Sequence, residues 1–244
     1  MSARVSAEPP AWRIAIPSSI TLGGIFFGLW SIAQASTSAY GACLALIGAC
    51  LCDMADGRVA RLAGARSAFG AELDSLADIV SFGLAPAWLV YRWSLAPTPT
   101  DGFDPWLLVA FAFVAAGAIR LARFNTTLDT STGDEFEGLP IPMAALLCIT
   151  PIMASHELSI DAIRAPEVMA GIMLLGAVLM VGRLPLPSYK RFPNRTMQVV
   201  FYGLIAGGLM MLVLQLPGGA VLSGFTVLYL LIGLWRGFRY SRMA

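Results

Sequence analysis

The sequence predicts an all-α protein: a polytopic bundle of about eight transmembrane helices, with the N- and C-termini both cytoplasmic. Three observations predict this fold, namely the composition, a succession of long apolar stretches and the positions of the basic residues. Hydrophobic residues fill 57% of the 244 positions and charged residues only 13%, about half the charged share of a typical soluble domain. These polar and charged residues are too few to cover the surface of a protein in water, so we expect the chain to lie in lipid.

Eight apolar stretches, separated by polar breaks, predict the helices in order. They hold between 17 and 24 residues, close to the roughly 20 residues that a helix needs to cross a bilayer at about 1.5 Å per residue. The breaks are rich in Pro and Gly, as in Pro217-Gly218-Gly219, and such residues mark turns. The predicted spans are 17–36, 40–63, 70–93, 105–127, 140–156, 166–182, 197–215 and 219–236.

The basic residues test the order of these spans. With the N-terminus inside, all but two of the 16 Lys and Arg residues fall on the cytoplasmic side, the exceptions being Arg92 and Arg164. Basic residues retained in cytoplasmic loops set the orientation of membrane proteins, so this separation supports eight crossings. The net charge of +1 provides no basic field for nucleic acid. The cytoplasmic set is Arg4, Arg13, Arg58, Arg61, Arg66, Arg120, Arg123, Arg183, Lys190, Arg191, Arg195, Arg236, Arg239 and Arg242.

Five acidic residues lie inside the predicted second and third helices or at their facing ends: Asp53, Asp56, Glu72, Asp74 and Asp78. A charged side chain costs about 2.5–3.5 kcal/mol at the centre of an inserted helix, and closely spaced carboxylates also repel one another. A cation is therefore needed to offset them. Asp53 and Asp56 (i,i+3) share one helix face, and Asp74 and Asp78 (i,i+4) share another.

Two antiparallel helices joined by a short loop would bring these four aspartates into one cluster. Carboxylate oxygens are hard ligands that suit Mg²⁺ or Mn²⁺, and two such ions would also bind phosphate oxygens. The small residues Gly57, Ala60 and Gly70 lie on the same faces and would let a bulky ligand approach the backbone.

Two other interpretations of the acidic residues stay open. In the first, they form a salt-bridge network with Arg58, Arg61 and Arg66, although three arginines do not neutralise five carboxylates. In the second, the chain is an ion- or proton-coupled transporter, since carboxylates within the membrane also mark ion pathways. Transporters usually place such groups near the midplane in repeated halves, whereas these lie near the cytoplasmic edge without a second copy.

The same residues fit a pattern of nine fixed positions. Residues 53–61 read DMADGRVAR and residues 70–78 read GAELDSLAD, so DxxDGxxAR is followed after eight residues by GxxxDxxxD. This pattern resembles the signature of the CDP-alcohol phosphatidyltransferases. The resemblance implies an integral membrane enzyme in which an alcohol displaces CMP from a CDP-linked substrate.

The resemblance also implies roles for individual residues. Two divalent cations, Mg²⁺ or Mn²⁺, would be bound by Asp53, Asp56, Asp74 and Asp78. Asp78 would also be the catalytic general base. The implied CDP-binding residues are Asp56, Gly57, Ala60, Arg61 and Gly70.

Three further segments resemble the branch of the family that uses serine: SFGLAP at 81–86, RLARFN at 120–125 and FEGLPIP at 136–142. They imply transfer of the phosphatidyl group from CDP-diacylglycerol to the hydroxyl of L-serine, giving phosphatidylserine and CMP. Inositol, choline or glycerol phosphate is the alternative acceptor. Ile79 stands where the branch that uses glycerol phosphate usually has Lys, which argues against that branch.

Serine carries a carboxylate, which needs a cationic partner. Arg120 and Arg123 lie at i,i+3 near the cytoplasmic end of the fourth span, and the guanidinium fork suits a carboxylate. The alternative is that both arginines anchor the helix at lipid headgroups. We expect Asn125 to help orient the acceptor.

The expected organisation is a cytoplasmic tail (1–15), a catalytic core (16–160) and C-terminal transmembrane helices that act as a scaffold (161–244). We further expect a homodimer in a prokaryotic cell (inner) membrane, with its active site near the cytoplasmic face.

Overall fold

The computed structural model describes residues 10–64, 67–96, 98, 102–127, 138–182, 203, 206–214 and 216–241. Within these ranges every regular element is a helix. A short 3₁₀ turn, Asp161–Arg164, precedes the sixth helix. The helices are α1 (Ala11–Gln34), α2 (Ala39–Leu62), α3 (Ala68–Leu95), α4 (Leu107–Thr127), α5 (Ile141–Leu158), α6 (Pro166–Val181), α7 (206–213) and α8 (Gly218–Ser241).

Five of these helices, α1 to α5, are long and apolar enough to cross a membrane. The apolar helix α6, with 16 residues, and the apolar part of α8, Gly218–Leu234, are shorter. The prediction of an all-α, polytopic membrane helix bundle is confirmed. The number of eight crossings and the cytoplasmic position of both termini stay predictions.

The first helix begins earlier than the sequence predicts, at Ala11 rather than near Pro17. Pro17 lies inside the helix instead of at its start. Pro10 immediately precedes the helix, a position that tolerates proline. Pro17 lies in the second turn, where its ring removes one backbone hydrogen-bond donor without ending the helix.

Some predictions concern residues outside the described part of the chain. The predicted seventh span, 197–215, is described only at 203 and 206–214. The start of the segment 136–142 also lies outside. The basic residues outside it are Arg4, Arg66, Arg183, Lys190, Arg191, Arg195 and Arg242.

Helix α5 forms the centre of the bundle. It packs against α2, α6 and α8, and 67% of its residues are buried, against 28% of the most apolar stretches of α1 and α4. Helix α1 packs along α2 and also contacts α3, while α4 packs against α6. The outer faces of α1 and α4 carry large exposed apolar side chains, including Trp12, Phe26 and Phe111, as expected of surfaces that meet lipid.

Helix α3 changes its winding immediately after Asp78. Residues Ile79–Leu84 form a π-helical segment, which lies just ahead of Pro86. In a regular α-helix the proline ring would clash with the carbonyl of Phe82. π turns are rare inside α-helices and are frequently found at functional sites. The wider turn changes the direction in which α3 presents the residues that follow the acidic stripe.

Candidate active site

One pocket contains the four aspartates that the sequence predicts to act together. Asp53 and Asp56 reach it from α2, and Asp74 and Asp78 reach it from α3. Helix α1 packs against both of these helices and supplies a third wall, which the spacing of the aspartates does not predict. The remaining lining residues are Thr21, Gly24, Ala49, Ala77, Ser81 and Phe82.

Three of the aspartates lie close enough to share a cation. One carboxylate oxygen from each of Asp53, Asp56 and Asp74 lies within 4.8 Å of the others. Ligand oxygens of one Mg²⁺ lie up to about 4.2 Å apart, and those that serve a pair of ions lie somewhat further apart. The spacing and the hard oxygen donors therefore fit a divalent-cation site.

Asp78 lies beside this group of three. It lines the same pocket and interacts electrostatically with Asp53, Asp74 and Asp56 and with the guanidinium of Arg120. Carboxylates gathered this closely repel one another, and a bound divalent cation would offset that repulsion.

Thr21 lines the pocket as well, although the aspartate motif gives no sign of it. Its Oγ1 lies 2.7 Å from Asp56 Oδ2 and 3.1 Å from the carbonyl oxygen of Pro17, one turn earlier in α1. Only 7% of Thr21 and 6% of Asp56 is exposed. The sequence shows Thr21 one turn after Pro17, but several other polar residues also lie in the first helix, and nothing local shows which of them meets a carboxylate.

Ser81 holds α1 against the π-helical segment of α3. Its Oγ donates to the carbonyl oxygen of Gly24 over 3.0 Å. A Cβ on Gly28 would lie only 3.0 Å from the Cα of Ser81, so the two backbones meet at a distance that a larger residue would disturb. These contacts fix the wall that α1 adds to the pocket.

The residues expected to bind the CDP group lie around the connection between α2 and α3. A Cβ on Gly57 would lie 3.7 Å from Nη1 of Arg61, so the exposed Arg61 side chain lies beside Gly57. Ala60 is partly buried one residue before Arg61. The N–H of Gly70 donates to Ser67 Oγ over 3.0 Å, which caps the start of α3.

The three residues expected to bind the acceptor alcohol have different partners. Arg120 interacts electrostatically with Asp78. Arg123 Nη1 donates to the carbonyl oxygen of Val181 over 3.0 Å, at the C-terminal end of α6. Asn125 Nδ2 donates to Ser75 Oγ on α3 over 3.1 Å.

The C-terminal end of α6 also receives the segment that enters α5. Gly138 has a φ of +85°, and a Cβ there would lie 2.7 Å from the carbonyl oxygens of Met180 and Gly182. The N–H of Leu139 donates to the carbonyl oxygen of Leu179 over 2.9 Å. The last turn of a helix leaves carbonyls without intrahelical partners. Here these contacts tie the start of α5 to α6.

Comparison with known proteins agrees with the motif. The sequence model of the CDP-alcohol phosphatidyltransferase family matches residues 14–182. Three similar proteins are each named CDP-diacylglycerol–serine O-phosphatidyltransferase. That of Helicobacter pylori is 37% identical over 176 residues, 72% of this chain and 73% of its own length.

That of Methanocaldococcus jannaschii is 35% identical over 151 residues, 61% of this chain and 63% of its own. That of Saccharomyces cerevisiae is 46% identical over 111 residues, 43% of this chain and 38% of its own. The family match covers well over half of the chain and includes all four aspartates of the pocket. The resemblance predicted from the nine-position pattern is confirmed, and the chain belongs to the CDP-alcohol phosphatidyltransferase family.

Proposed function

We propose that this protein transfers the phosphatidyl group of CDP-diacylglycerol to the hydroxyl of L-serine, giving phosphatidylserine and CMP. The observation that carries the proposal is the pocket in which Asp53, Asp56 and Asp74 bring their oxygens within 4.8 Å of one another, with Asp78 beside them. The choice of serine is supported by the names of the relatives from Helicobacter pylori, Methanocaldococcus jannaschii and Saccharomyces cerevisiae.

Asp53, Asp56 and Asp74 would hold two divalent cations, Mg²⁺ or Mn²⁺, with Asp78 contacting one of them. When bound, these cations neutralise the pyrophosphate and stabilise the charge that develops on the departing CMP. The hydrogen bond from Thr21 to Asp56 orients one of the ligands. The support for this role is the fit of the donor set to hard divalent cations.

The residues at the end of α2 and the start of α3 would bind the CDP group. Gly57, Ala60 and Gly70 leave the backbone open to a nucleotide, and Asp56 faces it from the pocket. Arg61 lies beside Gly57, where its guanidinium would reach a phosphate oxygen.

Asp78 would act as the general base. It takes the proton of the serine hydroxyl as the oxygen attacks the phosphorus that bears the diacylglycerol. A P–O bond to the acceptor forms, the P–O bond to CMP breaks, and CMP leaves with the bonding electrons. A positioned base contributes about 10²- to 10⁴-fold to such a rate.

Arg120 would bind the serine carboxylate. Its electrostatic interaction with Asp78 supports this role, because a guanidinium near the proposed base would also lie near the serine hydroxyl. Serine carries its carboxylate and its hydroxyl on adjacent carbons. The cation that binds the carboxylate and the base that takes the hydroxyl proton must therefore lie close together. Arg123 and Asn125 would complete this end of the site, although both donate to protein atoms, Val181 O and Ser75 Oγ.

The five apolar spans support an enzyme embedded in the bilayer, with the acyl chains of its substrate in lipid. We further propose a prokaryotic inner membrane, an active site near the cytoplasmic face, and a homodimer. In this arrangement residues 16–160 carry the catalysis and 161–244 serve as a scaffold.

The test is release of CMP by the purified protein. CDP-diacylglycerol and Mn²⁺ or Mg²⁺ are supplied with serine, inositol, choline or glycerol phosphate, one at a time. We expect serine to give the fastest release and labelled serine to appear in lipid. Faster release of CMP with another alcohol would overturn the choice of serine as acceptor. If no alcohol gave CMP, the proposed enzymatic activity would be wrong and the transporter interpretation would be favoured.

A further inference from the structure

A hydrogen-bonded pair links α3 and α4 one residue from the carboxylate pocket. Asn125 Nδ2 donates to Ser75 Oγ over 3.1 Å, and Ser75 Oγ lies 3.1 Å from the carbonyl oxygen of Ala71 in its own helix. Oδ1 of Asn125 is further from Ser75 Oγ, at 3.4 Å. The distances therefore favour one direction, in which Asn125 donates to Ser75 and Ser75 donates to Ala71.

The pair joins the two helices at a functionally important point. Ser75 follows Asp74 directly and lies one turn before Asp78, and Asn125 lies just beyond Arg120 and Arg123 on α4. Helix α4 packs against Ile79–Leu84 and Ala85–Val90 of α3. The bond between Ser75 and Asn125 extends this contact into the part of α3 that carries the aspartates.

We infer that Ser75 and Asn125 are positioning residues for the acceptor alcohol, acting together by holding the guanidinium of Arg120 at a set distance from Asp78. This inference rests on the proposed function, in which one group binds the carboxylate of the acceptor and the other receives its proton. The two groups lie on different helices, so their separation depends on what ties those helices together. Misplacing reacting groups by about 1 Å costs up to about a hundredfold in rate.

This role differs from the one that the sequence predicts for Asn125. A residue that contacts the acceptor contributes independently of Ser75, whereas a positioning pair contributes only while both partners are present. The amide of Asn125 faces Ser75 on α3, which supports action through the neighbouring helix.

The experiment is a double-mutant cycle on the full-length protein, with Ser75→Ala, Asn125→Ala and the double variant. KM for the acceptor, KM for CDP-diacylglycerol, kcat and thermal unfolding are measured for each. We expect each single variant to raise KM for the acceptor about three- to tenfold, a modest effect, because one interhelical hydrogen bond is a small part of what holds two membrane helices together. KM for CDP-diacylglycerol stays within about twofold, and the double variant is no worse than the worse single variant.

Two further variants complete the cycle. Ser75→Thr keeps the hydroxyl and is expected to retain a KM near that of the wild type. Thr126→Ala is the matched control, because the exposed Thr126 donates to the carbonyl oxygen of Arg123 in its own helix over 2.9 Å. Its KM values are expected to match those of the wild type.

Three results would overturn the inference. Effects of Ser75→Ala and Asn125→Ala that multiply would mean that Asn125 contacts the acceptor by itself. A lower unfolding temperature with unchanged KM and kcat would mean a merely structural bond. If the wild type releases CMP with serine but neither single variant changes KM for the acceptor, the inference is wrong while the proposed function stands. If the wild type releases no CMP, both the proposed function and the inference are wrong.

Discussion

Thr21 on α1 donates a hydrogen bond of 2.7 Å to Oδ2 of Asp56 on α2. Both residues are almost fully buried, and a buried carboxylate is costly unless it is hydrogen-bonded or paired. The bond restrains the Asp56 side chain within the pocket that it shares with Asp53 and Asp74. The first helix thus takes part in the site, although the nine-position pattern contains none of its residues.

Replacing Thr21 by Val should weaken cation binding while leaving the helix packing intact, because Val has nearly the same shape without the hydroxyl. Loss of a hydrogen bond to a ligating group typically costs about 10- to 100-fold in metal affinity. We expect a rise of this size in the Mn²⁺ concentration for half-maximal CMP release. Direct Mn²⁺ binding, measured by electron paramagnetic resonance, should weaken in parallel.

The matched control for Thr21→Val is Thr226→Val. Thr226 is equally buried, and its hydroxyl donates to the carbonyl oxygen of Leu222 in its own helix over 2.8 Å. It should leave Mn²⁺ binding unchanged. Identical Mn²⁺ binding by the wild type and Thr21→Val would show that the bond does not orient a ligand.

Replacing Asp78 by Asn should stop turnover without removing the cation site. An amide of similar shape does not accept the hydroxyl proton, so CMP release should fall by about 10²- to 10⁴-fold. Mn²⁺ binding should persist through Asp53, Asp56 and Asp74, whose oxygens lie together. Asp56→Asn is the contrasting variant and should lose Mn²⁺ binding itself. Near-normal CMP release by purified Asp78→Asn would remove the assignment of the base.

Replacing Glu157 by Ala should destabilise the protein far from the pocket. The Glu157 carboxylate accepts hydrogen bonds from the N–H groups of Gly219 and Ala220, over 2.9 and 2.8 Å, and from Tyr40 Oη over 2.9 Å. A carboxylate at the N-terminus of α8 satisfies free N–H groups and interacts favourably with the helix dipole. We expect a loss of about 1.5–3 kcal/mol, seen as a lower unfolding temperature in detergent.

Catalysis by the remaining folded protein should be unaffected by Glu157→Ala. Tyr40 and Asp56 stand at opposite ends of α2, roughly 24 Å apart at 1.5 Å per residue. The control is Glu167→Ala, which removes an exposed carboxylate from the first turn of α6 and should cost only about 0.3–1 kcal/mol. Equal unfolding temperatures for the two variants would contradict the assignment.

Replacing Gly138 by Ala should destabilise the contact between α5 and α6. Gly138 has a φ of +85°, which is unfavourable for a residue with a Cβ. The added methyl group would also lie 2.7 Å from two carbonyl oxygens. We expect a cost of at least about 1–3 kcal/mol. The measurement is the unfolding temperature.

Gly171→Ala is the control for Gly138→Ala. Gly171 lies within α6, and a Cβ there meets nothing within 4 Å. Ala is favoured over Gly inside a helix by about 0.5–1 kcal/mol, so the two variants should shift the unfolding temperature in opposite directions. A Gly138→Ala protein as stable as the wild type would mean that the α6 carbonyls do not confine this residue.

The sequence by itself determined that the chain forms long apolar helices, five of which are long enough to cross a membrane in the described residues, and it determined the acidic stripes. In lipid every backbone polar group must be hydrogen-bonded, and a helix forms these bonds within its own segment, so a long apolar stretch predicts a helix without knowledge of its neighbours. The spacings of Asp53 with Asp56 and of Asp74 with Asp78 place each pair on one helix face for the same local reason. The nine-position pattern in these two segments was enough to indicate the family.

Only the tertiary structure decided which side chains meet across the helices. Thr21 reaches Asp56 over 35 positions of sequence, Ser75 reaches Asn125 over 50, and Arg123 reaches Val181 over 58. Such contacts depend on how each helix is rotated and how closely it packs against the next, as at Gly28 and Ser81. Helical periodicity describes the face of a single helix, and the neighbour that covers that face is set by the packing of the whole bundle.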